Sequence, residues 1–365
     1  MNVPPERTPD AERLAEEVVT GLRAALEILS IDLGVRRGLY EVLASHGSMT
    51  ARDLSKTAGI HARYAREWLE QQAVAGILTA SGPAGDDGYE RLFELPVEHQ
   101  RVLVDRDDPL YLATGPQFVV SLAETLPELL EAFATGGGVP YERYGRGTRE
   151  GIAGLNRPMY RPEVVRSWVA AMPDVHRRLT DEPRARVLDL GCGLGWSTMA
   201  LARAFPGARL TGVDLDAASV DEARRNAQET GLDERVAFAR TDAAGIDLDG
   251  SVDLVTVFEA LHDMADPVRV LTAVRRLLAP SGAVLIGDEK VSEEFTAPGP
   301  ELDRINYAFS VLHCLPATRA EGAKVEAGTV LRPDTVRAYA REAGYRTVEV
   351  LDVEHELWRF YRLGI

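Results

Sequence analysis

The residues with the most chemistry to offer stand at the ends of short apolar runs in the second half of the chain. The first run is Val187-Leu188-Asp189-Leu190-Gly191-Cys192-Gly193-Leu194-Gly195-Trp196. Gly191 and Gly193 let a backbone turn tightly and approach a ligand without a Cβ in the way. The next run ends Gly212-Val213-Asp214-Leu215, where the carboxylate can accept two hydrogen bonds from a ribose diol. Thr241-Asp242-Ala243 follows a third run and offers an acceptor for an exocyclic adenine amine. A fourth run ends Phe258-Glu259-Ala260-Leu261-His262-Asp263. An unperturbed imidazole, with a pKa of about 6.5, is largely neutral near pH 7 and able to take a proton. His262 is therefore the candidate general base. Asp263, Asp288 and Glu289 are the candidates to orient its ring, and Asp263 and Glu289 are grouped with it as the catalytic set.

Positioning these residues requires a particular kind of sheet. The runs Val187–Leu190, Leu210–Val213, Val236–Phe238, Val252–Phe258 and Ala283–Ile286 are short and apolar. Helical stretches at Ser197–Phe205, Ala217–Thr230 and Pro267–Leu278 separate most of them. Strand and helix in alternation predict a parallel sheet covered on both faces, with ligands beyond the carboxyl ends of the strands. A dinucleotide is disfavoured there. Its fingerprint wants Gly or Ala where Trp196 stands, and Asp189 would repel a pyrophosphate but tolerate a cationic ligand. Cys192 inside the loop reads as a small side chain beside the ligand rather than a nucleophile.

The front half has a different pattern. Leu14, Val18, Leu22, Ala25 and Leu29 form one helical stripe over 11–31, to be covered by its own domain or by a second copy. Val35, Leu39, Val42 and Leu43 predict a short helix ending near Gly47, and Thr50 with Asp53 predicts a capping box opening a helix to Ala58. A further helix from Ala62 to Ala75 would turn Tyr64, Trp68 and Leu69 inward. Strands at Ile77–Thr79 and Tyr89–Leu95 around a Gly- and Asp-rich turn complete a winged-helix pattern. Arg63 and Arg66 are flanked by Glu67 and Glu70, and the wing tip carries Asp86 and Asp87, which argues against phosphate contact. A helix over Gln117–Phe133, broken by Gly136-Gly137-Gly138, opens an aromatic-rich connector with Tyr141, Tyr144, Tyr160 and Trp168. An inserted helical stretch at roughly 292–330 would bring Tyr307, Phe309 and His313 over an acceptor, before Pro333 starts another helix. His355 and Trp358 read as structural members of a late strand.

The 365 residues imply about two domains. A net charge of −16 disfavours nucleic-acid binding, which draws on basic side chains. Two cysteines cannot build a disulfide framework or a four-cysteine zinc site. Charged residues from Glu6 and Arg7 through Glu17 interrupt any apolar leader, and no run reaches the ~18 apolar residues of a membrane span. The expectation is a cytoplasmic chain with no membrane partner.

Asp189 with the Gly191-x-Gly193-x-Gly195 loop, then Asp214, then Asp242, resembles the class I S-adenosylmethionine-dependent methyltransferases over about 184–365. The winged-helix pattern and Leu261-His262-Asp263 resemble the dimeric small-molecule O-methyltransferases within that class. Arg63-Tyr64-x-Arg66-Glu67-Trp68-Leu69-Glu70 and Ser310-Val311-Leu312-His313-Cys314-Leu315-Pro316 look closer to bacterial members. The resemblance implies an α/β fold, a Rossmann-like seven-stranded methyltransferase sheet preceded by a mostly helical winged-helix domain. It implies dimerisation and winged-helix residues at 1–100, a helical connector lining the substrate pocket at 101–180, and a cofactor-binding domain at 181–365. S-adenosylmethionine would be held by Asp189, Gly191, Gly193, Asp214, Leu215, Asp242, Ala243, Phe258 and Glu259. Tyr160, Tyr307 and His313 would meet a small-molecule, secondary-metabolite acceptor, with His262 as base and no metal. Met264 stands where the plant enzymes have an aromatic, so their acceptors do not carry over. A carbon acceptor such as indole C3 stays open beside a hydroxyl. So do a winged-helix regulator that binds S-adenosylmethionine and DNA, and a nicotinamide dehydrogenase.

Overall fold

The computed structural model describes residues 9–182, 185–246 and 252–365. Glu6 and Arg7, weighed above against a leader, lie outside them. The chain separates into two compact units that divide after Val120, so the connector expected over 101–180 is shared between them.

The first unit begins with α1 (Pro9–Arg36), α2 (Leu39–His46), α3 (Ala51–Ala58) and α4 (Ala62–Val74). The capping box is present: Asp53 N–H donates to Thr50 Oγ1 and Thr50 N–H to Asp53 Oδ2, an arrangement worth about 1 kcal/mol. Ala65, Trp68, Leu69 and Gln72 form the buried stripe of α4. Tyr64 falls one position off that stripe and is 77% exposed, contrary to the expectation that it turns inward. The hairpin pairs β1 (Thr79–Ser81) with β2 (Leu92–Glu94). It starts later than expected because the Ile77 and Leu78 N–H groups are drawn back to the Gln72 carbonyl. The cations of the expected recognition helix are taken internally, Arg63 by Glu67 and Arg66 by Glu70. Arg52 pairs with Asp87 at the wing. A short α5 (Val97–Leu103) follows, and α6 (Gly115–Glu124) runs across the division.

The second unit opens with α7 (Leu126–Thr135), α8 (Gly145–Asn156), α9 (Pro162–Ala170) and α10 (Pro173–Asp181). The single helix expected over 117–133 is broken at Thr125, where Pro127 in the first turn of α7 has no N–H to continue the ladder. There follow β3 (Arg186–Leu190), α11 (Trp196–Ala204), β4 (Arg209–Asp214), α12 (Ala217–Glu229) and β5 (Val236–Arg240). Next come β6 (Val252–Phe258), α13 (Pro267–Leu277) and β7 (Leu278–Glu289). The inserted stretch contains α14 (Glu301–Phe309), a π-helical turn at Ser310–Cys314 and α15 (Leu315–Ala320). The unit closes with α16 (Pro333–Glu342), β8 (Thr347–Val350) and β9 (Trp358–Gly364).

These strands form one seven-stranded sheet in the order β5-β4-β3-β6-β7-β9-β8, parallel except for β9. Alternate residues feed opposite faces. Val187, Leu210, Leu254 and Leu285 pack in one core cluster, while Leu188, Val213, Val255 and Ile286 pack in the other. The chain runs outward through β3, β4 and β5 and returns to β6 beside β3, so the switch point lies between β3 and β6. Parallel pairing sets Leu190, Asp214, Arg240, Phe258 and Glu289 at one edge.

Candidate active site

The glycine loop after β3 adopts left-handed backbone at Gly191 (φ 66°), Gly193 (φ 50°) and Gly195 (φ 84°). A Cβ on Gly191 would stand 2.5 Å from Ala260 Cβ, and one on Gly195 would stand 2.6 Å from the Phe238 ring. A Cβ on Gly193 would meet nothing within 4 Å. The loop is thus closely backed at both ends and open in the middle. It lines a cleft together with Tyr141, Arg149, Asn156, Tyr160, Phe258 and Glu259.

Two acids shape the loop from below. Asp189 is buried, accepting from Ser197 and Thr198 at Oδ2 and from Thr256 at Oδ1, each at 2.6 Å. Burial pushes its carboxyl up and the three hydroxyls hold it back. Asp189 was expected to touch the cofactor. It lies under the loop, where the hydroxyls that open α11 and the middle of β6 bond its oxygens. Asp214 Oδ2 accepts from Gly193 N–H at 2.9 Å, and Oδ1 accepts from Asp216 N–H at 2.9 Å. Burial raises its carboxyl against those two bonds. Each of its oxygens retains a second acceptor site, so a diol can still be received.

The outer strand ends are more exposed. Leu215 is 51% exposed and its carbonyl accepts from Arg240. Asp242 accepts from Ala244 N–H and pairs with Arg269 at 2.6 Å. Burial opposes that, but Arg269 and Ala244 hold Asp242 below the usual carboxylate range. Ala243 begins a 3-10 turn packed on the sheet core.

Glu259 follows β6 with φ 52°, the one positive φ at a non-glycine among the described residues. That backbone costs of order 1–3 kcal/mol, and the surroundings fix it. Glu259 N–H donates to Gly287 at 2.8 Å, and Asn156 donates its amide to the carboxylate. The carboxyls of Glu259 and Glu289 hydrogen-bond each other. Burial, with Glu259 beside it, pushes Glu289 up to about 10, so the pair holds a proton at neutral pH.

Glu289 is therefore not the partner of His262. Asp288 takes that place, its Oδ1 accepting from His262 Nδ1 at 2.8 Å. Asp263 Oδ1 lies 3.5 Å from Nε2 on the other side. Burial alone would lower the imidazole, but Asp288 and then Asp263 overcome it and hold His262 well above the usual histidine range. The largely neutral ring expected from an isolated histidine is thus corrected by its two acidic neighbours.

Of the expected acceptor contacts, Tyr160 lines the cleft and packs against Trp168, Phe258 and Trp358. His313 is buried, its ring 4.6 Å from Tyr144 and 5.6 Å from Tyr141. Tyr307 does not line this cleft. It is 38% exposed and its hydroxyl accepts from Arg332, because α14 turns that face outward. His355 accepts from Trp358 N–H and stacks on that ring, in keeping with a structural role.

Three contributors were not singled out in the sequence. Arg149 on α8 pairs with Asp216 at 2.6 Å, Asn156 on α8 reaches Glu259, and Arg157 lies 4.1 Å over the Trp196 ring. None sits in a motif. The available signal was their place in the aromatic-rich stretch with Tyr141, Tyr144 and Tyr160.

Comparisons with known proteins agree with this fold. A methyltransferase-domain family model matches residues 181–324, and an Rv2258c-like winged helix-turn-helix model matches 24–105. The ubiquinone biosynthesis O-methyltransferase of Aromatoleum aromaticum is 31% identical over 180 residues, 49% of this chain and 72% of that one. Among solved structures, the mitomycin 7-O-methyltransferase MmcR aligns with TM-score 0.67 at 20% identity, over 98% of this chain and all of that one. Human N-acetylserotonin methyltransferase, solved with S-adenosylmethionine, aligns over the whole of both chains with TM-score 0.67 at 16% identity. At those identities the solved structures share the fold.

Proposed function

We propose that this chain, which belongs to the S-adenosylmethionine-dependent methyltransferases, methylates a hydroxyl oxygen of a small aromatic metabolite. Its cofactor is S-adenosylmethionine. The cleft suits that molecule. Gly193 leaves space above the loop, and Glu259 is the one carboxylate among the described residues lining the cleft, ready for a positive charge. Asp214 and Leu215 follow for a ribose, and Asp242 and Ala243 for an adenine. When bound, the donor supplies a methyl group on a cationic sulfur, which a nucleophile displaces in line.

The choice of oxygen rests on the Asp288–His262 pair. A phenol must lose its proton as it attacks, whereas an electron-rich ring carbon attacks before any proton leaves. Asp288 holds Nδ1 and fixes the ring, leaving Nε2 as the atom that accepts the proton once the imidazole is neutral. Tyr160 and His313 supply aromatic surface for a flat acceptor. Relatives named as O-methyltransferases support the same choice.

The test is a screen of phenols, hydroxyquinones and indoles with labelled donor, followed by carbon-resolved NMR of the product. An O-methyl product is expected. A ring-methylated carbon would overturn the hydroxyl reading.

The proposal includes a homodimer joined through α1, at work in the cytoplasm in secondary metabolism. Supporting it are the uncovered apolar stripe of α1 and two free cysteines. No described helix is long and apolar enough to cross a membrane.

A further inference from the structure

We propose that His262, Asp263 and Cys314 form a site for a zinc-class divalent ion. Their donor atoms, an imidazole nitrogen, a carboxylate oxygen and a thiol sulfur, all lie within 4.8 Å of one another. Nitrogen, oxygen and sulfur together are the donor set of zinc, and three protein ligands leave one coordination position open. The three come from separate places in the chain. His262 and Asp263 lie on the turn after β6, and Cys314 closes the π-helical turn that interrupts the inserted helices.

Two observations point from proximity to coordination. Asp288 accepts from His262 Nδ1 at 2.8 Å, which fixes the tautomer and presents Nε2 toward Asp263 and Cys314. A carboxylate behind the distal nitrogen is the outer-shell partner that metal-bound histidines use. On the opposite side, Asp263 Oδ1 is buried, accepts no hydrogen bond and lies 3.5 Å from Nε2.

The charges also balance. The thiol loses its proton to solvent as sulfur bonds the ion, and a protonated imidazole gives up the Nε2 proton. A dication, one thiolate and the Asp263 and Asp288 carboxylates then sum to −1, the same as a protonated imidazole between the two carboxylates, so binding adds no net charge to a site where His262 and Cys314 are 4% and 6% exposed. Resting on the hydroxyl reading above, one consequence follows. An ion on Nε2 takes the lone pair the base needs, so the loaded chain is inactive.

The test uses the whole reduced chain titrated with Co²⁺. We expect one equivalent bound, with a thiolate-to-cobalt charge-transfer band that Zn²⁺ displaces. The chain has two cysteines, so the band surviving in Cys192→Ser identifies Cys314 without altering it. Asp288→Asn should weaken cobalt binding about 10–100-fold. No band at millimolar cobalt, or a band lost in Cys192→Ser, would overturn the site. A cobalt-binding chain whose metal-free form methylates no hydroxyl would instead overturn the hydroxyl reading and leave the site in place.

Discussion

Asp288 on one ring nitrogen and Asp263 facing the other give His262 a proton affinity above that of a free imidazole. A base works only when deprotonated, so transfer to a hydroxyl should be lost as pH falls through that raised pKa. The acid limb of the rate profile should therefore lie above the ordinary histidine range of about 6.5. Asp288→Asn, which removes the larger of the two raising charges, should move that limb toward lower pH. An unmoved limb would assign it to another group. His262→Ala should slow transfer by about 10²–10⁴ with little change in S-adenosylmethionine affinity, measured by stopped-time assay and calorimetry. The Glu289 carboxyl makes a separate prediction. Its folded pKa, near 10, lies above the unfolded value of about 4.3, so its ionisation opposes folding increasingly as pH rises between them. Glu289→Gln keeps a neutral donor toward Glu259 and removes that dependence. Its melting temperature should exceed the wild type's at pH 8 by more than at pH 6. A constant difference would show that the pair does not titrate as a unit.

Strand ends and the loop between β3 and α11 set what could be read before the fold was known. Parallel pairing aligns the carboxyl ends of strands, so Asp214, Asp242, Glu259 and Glu289 were legible as one edge from their places after apolar runs. The partnerships among them were not legible. Asp288 and Glu289 are adjacent in sequence but point to opposite faces of β7, and only the pleat decides which meets His262. Asn156, Arg149 and Cys314 reach the site from helices whose docking no local pattern encodes. The loop itself is testable position by position. Gly193→Ala meets open space but keeps a left-handed φ, so it should cost about 1–2 kcal/mol. Gly195→Ala adds a collision with the Phe238 ring, and overpacking costs about 1–3 kcal/mol more. Urea denaturation should rank the second variant well below the first. Equal stabilities would mean that Phe238 yields freely.

At the scale of the molecule, the charge of −16 and the stripe on α1 together decide what the front unit can bind. Arg63, Arg66 and Arg52 are paired with Glu67, Glu70 and Asp87, so these three cations are engaged within the winged helix. Its first helix presents the reverse of a nucleic-acid surface. Leu14, Val18, Leu22, Leu26, Leu29 and Leu33 recur at steps of three and four along 28 residues, and each is at least 42% exposed in the single chain. At about 1.5 Å per residue the stripe from Leu14 to Leu33 is roughly 30 Å long, larger than the apolar patches soluble monomers usually leave uncovered. A second copy of the same helix is the cover proposed here, because like stripes bury each other and a two-fold pair closes without leaving a sticky end. Light scattering should give the mass of two chains for the wild type. Leu22→Asp with Leu26→Asp places charge in the middle of the stripe, where burial would leave it unpaired, and should give one chain with the catalytic unit still folded. A wild-type monomer, or a double variant that remains a dimer, would remove α1 from the interface and require another cover for its apolar face.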